Sequence, residues 1–286
     1  MKILKSADLR GWALFCAAAF CFALPGAAAL FGNPAHAGSS LEERKLPMKF
    51  SWVACEPNCR GWVSAVGVVT ADSPKDFDEF AHSRDLRGAT IVLDSSGGSV
   101  NDSIALGRHF RELGMLTTVG TSVLAHGARG DHGNVVPEAY CESMCAFLLL
   151  SGKTRYVPQE AHVRVHQIWM GDRADDPKAA NYNAEDVMII ERDVGRLAHY
   201  TFDMGGSGEL LGIALSVPPW ESLRQLTGDE LHRTNLTTTD VIADVLPWTQ
   251  TELPAVALSK TIQDRVGAES TRTAEVKIPA GGDAKQ

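Results

Sequence analysis

The sequence predicts an α/β domain in which strands and helices alternate around a sheet covered on both faces. Three features carry this reading. Residues 89–94 form a continuous apolar run ending in Asp94, as expected of a strand buried on both sides. A Gly97-Gly98 turn follows, and then Ile104, Gly107, Phe110 and Leu113 recur at helical spacing. Residues 116–119 form a second short apolar run. Strand, helix, strand with short turns is the signature of a βαβ unit.

The elements follow in chain order. The first ten residues hold Lys2, Lys5 and Arg10 against one acid, Asp8. An apolar run follows from Trp12 to about Phe31, broken at Pro25-Gly26 and closed by Ala35-His36-Ala37. A basic start, an apolar middle and small residues at a cut site make a secretory signal over residues 1–37, cleaved near Ala37. An uncleaved membrane anchor is the alternative, because the run is near the ~20 residues a spanning helix needs. The Pro-Gly break and the Ala-x-Ala tripeptide favour cleavage. Residues 38–48 are polar and read as a linker. The domain itself is expected over 49–262.

Within it, residues 63–69 read as a first strand. Asp72, Ser73 and Pro74 open a helix through Phe77 and Phe80. After the 89–94 strand, Ser99 is placed to cap a helix running to about Leu113. Residues 121–140 contain Gly and His without periodicity and read as a loop. Residues 144–150 are apolar throughout, the pattern of a helix buried on all sides. Residues 154–157 and 162–168 read as strands, and 185–202 as an amphipathic helix. Thr227-Gly228-Asp229-Glu230 fits a capping box before another short helix. Residues 263–286 are rich in Ala, Thr, Gly and Lys and read as a disordered tail.

The chain has a net charge of −8, and removal of the basic leader makes the remainder more acidic. With no basic cluster, nucleic acid and anionic membranes are not expected as partners. Beyond the leader stand four cysteines, Cys55, Cys59, Cys141 and Cys145, in two pairs of spacing i, i+4. An even number in an exported chain predicts disulfides, with three possible connectivities. Local pairing, 55–59 and 141–145, is favoured. A zinc site is the weaker alternative, because oxidation competes for the thiols. His162 and His166 also have i, i+4 spacing. The alternating Val163 and Val165 make this stretch a strand, which holds the two rings too far apart for one metal. Neither a metal nor a cofactor is expected.

Three segments carry candidate chemistry: Asp94-Ser95-Ser96-Gly97-Gly98-Ser99-Val100, Cys141-Glu142-Ser143-Met144-Cys145, and Val163-Arg164-Val165-His166-Gln167. A serine at the mouth of a buried helix lies beside unpaired backbone N–H groups. A histidine at a strand end can act as its base. A Gly-Gly turn lets backbone N–H groups approach a developing oxyanion. Each element alone is more often structural: a βα turn, a helix cap, a surface histidine.

In this order the segments resemble the proteolytic subunit of the Clp protease, within the ClpP/crotonase superfamily. Ser95-Ser96-Gly97-Gly98, Ser143-Met144, Ser151-Gly152, Arg155, Pro158 and His166-Gln167 follow the family's sequence of motifs. The resemblance covers roughly residues 63–240 and is most specific over 89–168. It is similar also to exported ClpP-like proteins whose nucleophile segment lies between two cysteines.

The resemblance implies an α/β fold of stacked ββα units in a single domain. It implies Ser143 as nucleophile, His166 as general base, and the N–H groups of Gly97 and Met144 as oxyanion donors. For the third member the matching position falls near Leu223. Glu221 is the nearest acid and Asp203 a more distant candidate. Ser96 replaces the family's turn proline, and residues 121–140 have no counterpart. The expected function is a periplasmic or secreted serine hydrolase, a peptidase acting on extended peptides or unfolded chains without an ATPase partner. The alternative is an inactive ClpP-fold binding or scaffolding protein. A coenzyme A hydratase and a Ser–Lys dyad through Lys153 are lesser variants. The superfamily's trimers and hexamers imply a homo-oligomer.

Overall fold

A computed structural model describes residues 41–55, 60–127, 130–171, 176, 178 and 181–246. The expected signal segment and tail, and Cys59, lie outside the described residues.

The chain is mixed α/β. Helix α1 (Leu41–Lys45) leads into β1 (Lys49–Val53) and β2 (Trp62–Val66). Then come α2 (Ser73–His82), β3 (Thr90–Asp94), α3 (Val100–Glu112) and β4 (Leu116–Val119). A hairpin of β5 (Thr121–Gly127) and β6 (Gly130–Val136) precedes β7 (Tyr140–Glu142), α4 (Met144–Leu149), β8 (Arg155–Tyr156) and β9 (His162–Val165). The described chain ends with α5 (Ala184–Asp203), α6 (Gly208–Leu215), β10 (Arg224–Gln225), α7 (Gly228–Arg233) and a short 3-10 helix (Ile242–Asp244). None of the described helices is long and apolar enough to cross a membrane.

The main sheet has the order β1-β2-β3-β4-β8. β2, β3, β4 and β8 run parallel, and β1 closes one edge antiparallel to β2. All five residues of β3 are buried, as its unbroken apolar sequence requires. A second sheet, β10-β9-β7, pairs Cys141 with Val163 in parallel. The two sheets meet where β3 ends. There Ser95 donates its N–H to the Tyr140 carbonyl at 2.8 Å and accepts from the Glu142 N–H at 2.9 Å.

The helices keep the expected order. In α2 a Pro sits in the first turn and Phe77 is buried, meeting Phe110 of α3 edge to face at 4.8 Å. Ser99 caps α3 by accepting from the Asp102 N–H. All six residues of α4 are buried. Thr227 and Glu230 form the reciprocal capping box of α7.

Two expectations change. Residues 41–48 are not a free linker: Arg44 and Met48 are buried, and the Met48 N–H donates to the Val68 carbonyl at 2.8 Å. Residues 121–136 are a hairpin rather than a loop, in register from Thr121↔Val136 to Gly127↔Gly130. Its apolar residues do not alternate, and Leu124 stands exposed, so no period of two shows. Gly133 fits because a side chain there would overlap Val53 and Trp62. Helix α6 carries no helical periodicity in its sequence, since its residues are mostly apolar and show little contrast between faces.

Candidate active site

β7 delivers the chain to Ser143 in an unusual backbone conformation, φ 56° and ψ −123°. Ordinary L residues avoid this region, at a cost of roughly 1–3 kcal/mol. Ser143 is the N-cap of α4 by position, yet its hydroxyl makes no capping bond. Its N–H donates to the Arg164 carbonyl at 2.8 Å, tying the bend to β9. The Oγ is thus left for other partners, beside the first N–H groups of α4, which have no intrahelical acceptor.

The Gly-Gly turn packs on this bend. Gly97 has φ +91°, and a Cβ on it would stand 2.7 Å from Ser143 Cβ and 2.8 Å from Met144 N. Only glycine fits. The Gly97 N–H donates to Ser95 Oγ at 3.1 Å, and that hydroxyl donates to the Gly67 carbonyl at 2.6 Å. Gly98 lines the adjoining cavity.

That cavity encloses about 400 Å³ and contains both Ser143 and His166. Its other walls are mostly apolar, among them Met144, Phe147, Trp169, Leu211 and Leu215. His166 follows directly on β9. Its Nδ1 lies 2.8 Å from the Gln167 carbonyl, a contact that requires a proton on Nδ1 and leaves Nε2 a lone pair. Burial pushes its pKa below the ordinary imidazole value. The Gln167 bond and then the charge of Glu142 oppose this more weakly. The Trp169 ring is tilted against His166 at 4.4 Å.

The candidate acids Glu221 and Asp203 lie outside the cavity lining. Glu221 is exposed on the segment before β10. Asp203, at the end of α5, pairs with Arg108 at 2.8 Å and His199 at 2.9 Å, and the Arg108 bond lowers its pKa first. Lys153 is exposed and outside the cavity too. The charge of Glu142, the residue before the serine, acts on His166 more weakly than burial and the Gln167 bond. Arg164 holds Glu142 at 3.3 Å and Arg44 at 3.8 Å. Its adjacency to Ser143 was visible in the sequence, but its reach toward His166 depends on β7 pairing with β9.

Cys141 and Cys145 form a disulfide around the bend. Cys55 is also disulfide-bonded. Among the described residues no cluster of His, Cys, Asp and Glu is placed to hold a metal. His162 instead stacks on Tyr140 at 4.5 Å.

No protein-family model matches the chain, and no curated protein matches it.

Proposed function

We propose that this protein is an exported serine hydrolase of the ClpP/crotonase type, acting as a peptidase on extended peptides. The reading is carried by one observation: Ser143 sits in a strained bend with an uncapped hydroxyl, in the same apolar cavity as His166. Strained backbone persists where its surroundings impose it, and it clusters at catalytic sites. His166, neutral and oriented through Nδ1 by the Gln167 carbonyl, takes the serine proton through Nε2. Ser143 Oγ attacks the scissile carbonyl. The N–H of Met144 receives the oxyanion, with Gly98 as second donor, since the Gly97 N–H is bonded to Ser95. His166 then returns its proton to the leaving amine, and water releases the acyl group by the same route.

The Cys141–Cys145 disulfide supports an extracytoplasmic setting. The chain has no Gly-x-x-x-x-Gly-Lys-Ser/Thr loop, so the substrate is a peptide or chain already unfolded, taken without an ATPase. Assembly into a homo-oligomer follows from the family resemblance.

The test is a fluorophosphonate probe with a panel of short peptide and ester substrates. Wild type is expected to label at Ser143 and hydrolyse some of the panel, and Ser143→Ala to lose both. Residual hydrolysis by Ser143→Ala would exclude this nucleophile. One observation favours a non-catalytic binding protein: His166 Nδ1 meets a backbone carbonyl, not a carboxylate. An unlabelled wild type that still binds peptides would establish that reading.

A further inference from the structure

Ser143 is a preferred N-cap residue that does not cap. An ordinary serine cap has extended backbone, and its hydroxyl accepts from the second or third N–H of the helix. Ser143 instead has φ 56°. On its N-terminal side the chain is fixed by the Glu142 N–H on the Ser95 carbonyl and the Ser143 N–H on the Arg164 carbonyl. On the other side, the bond that closes the bend is covalent. Cys141, in β7, is joined to Cys145, the second residue of α4. The bridge spans Glu142, Ser143 and Met144, with the serine at its midpoint.

The bridge is poorly placed for global stabilisation. A separation of four residues closes a short loop and removes little entropy from the unfolded chain. It is well placed to fix the strand-to-helix angle at the residue between its ends. Both cysteines are fully buried, so a soluble reductant reaches neither sulfur without local opening.

We propose that the Cys141–Cys145 disulfide is a positioning device for Ser143, making the serine's reactivity conditional on oxidation of the pair. This rests on the reading of Ser143 as the nucleophile. In the dithiol, residue 143 relaxes to an extended N-cap and its hydroxyl turns onto the N–H groups of α4. Oxidation is by thiol–disulfide exchange with a protein disulfide of the exporting compartment, before the folding chain encloses the two thiols. The two thiols give up two protons and two electrons, the bond between Cys141 and Cys145 forms, and the partner disulfide leaves as two thiols.

Two measurements test this on the mature protein and on Cys141→Ala/Cys145→Ala. The first is the rate of fluorophosphonate labelling, expected to fall roughly hundredfold without the bridge. The second is thermal and needs no activity. Ser143→Gly relieves the positive φ, so with the disulfide present it is expected to raise Tm by about 3–6 °C. In the bridge-free background the same substitution is expected to give no gain, because the strain is already released. A labelling rate unchanged by loss of the bridge, or an equal Ser143→Gly gain in both backgrounds, overturns the proposal. A wild type that never labels removes the hydrolase reading, and the thermal comparison still decides the clamp. Cys141→Val/Cys145→Ala refills the buried volume in case the first variant does not fold. Failure of both to fold would also overturn the proposal, by making the bridge a condition of the fold rather than of the serine's geometry.

Discussion

Gly97 and Ser143 are both at positive φ and lie against each other, so the backbone of each limits the other. An alanine at 97 would press on Glu142 O, Ser143 Cβ and Met144 N at once, the groups that form the bend. On the proposed hydrolase reading, His166 sets the pH dependence. Its pKa is lowered, chiefly by burial, so the neutral base survives to more acid pH than a free imidazole allows. The pH profile of kcat/KM, or of the labelling rate, should therefore rise with pH on a limb with an apparent pKa below 6.5. A limb above that value would mean that the charge of Glu142 outweighs desolvation.

At the scale of elements, α4 is the least ordinary. A wholly buried apolar helix leaves its last carbonyls without water. The hydroxyls of Tyr200, Ser151 and Thr117 donate to those of Phe147, Leu148 and Leu149 at 3.1, 2.6 and 2.7 Å. Two arginines supply the donors at the C-cap Leu150 and in the turn beyond. Arg155 reaches the carbonyls of Gly152 at 2.7 Å and Leu150 at 3.3 Å, and that of Asn235 at 2.7 Å. Arg111 reaches those of Leu150, Ser151 and Met204 at 2.8, 2.8 and 2.9 Å. Burial, then the nearby charge of Arg111, lowers Arg155 to a pKa of about 10, so it stays charged at neutral pH. Positive charge at this end also suits the helix dipole. Arg155→Met should cost on the order of 3 kcal/mol by orphaning buried acceptors. The loss would be read as a fall of roughly 10 °C in thermal denaturation. An unchanged Tm would show that water replaces the guanidinium.

The central elements were legible because burial on both faces leaves unbroken apolar runs, as in β3 and α4. Local caps at Ser99 and Thr227 were legible because the whole motif lies within four residues. The β5–β6 hairpin was not, because its pairing is written in partners and not in alternation. Within the site, the serine, histidine and Gly-Gly turn stand in recognisable order. The Gln167 carbonyl on His166 and the closeness of Glu142 depend on folded geometry that no local spacing encodes.

At the scale of the molecule, residues 41–48 are part of the domain body. Arg44 is buried between Asp94 and Glu142, at 3.7 and 3.8 Å, and lies over the Tyr140 ring at 4.0 Å. Asp94 also accepts from Thr121 Oγ1 at 2.7 Å. Arg44→Met removes the cation between two enclosed carboxylates, an expected loss of about 3 kcal/mol measurable by urea denaturation. A midpoint within error of wild type would show that Arg164 and Thr121 suffice.

The described chain closes where it began. The Thr90 hydroxyl, at the start of β3, donates to the carbonyl of Val245, 155 positions onward. Leu246 completes the small core of Val53, Cys55, Trp62 and Val92, and Thr238 donates its N–H to the Arg155 carbonyl. A ribosome releases the chain from its N-terminus, so every strand of the main sheet emerges before the residues that seal it. Contacts of such long sequence separation slow folding. The emerging chain therefore stays incompletely closed until about residue 246 is free, and until then the core beside Trp62 is open to water.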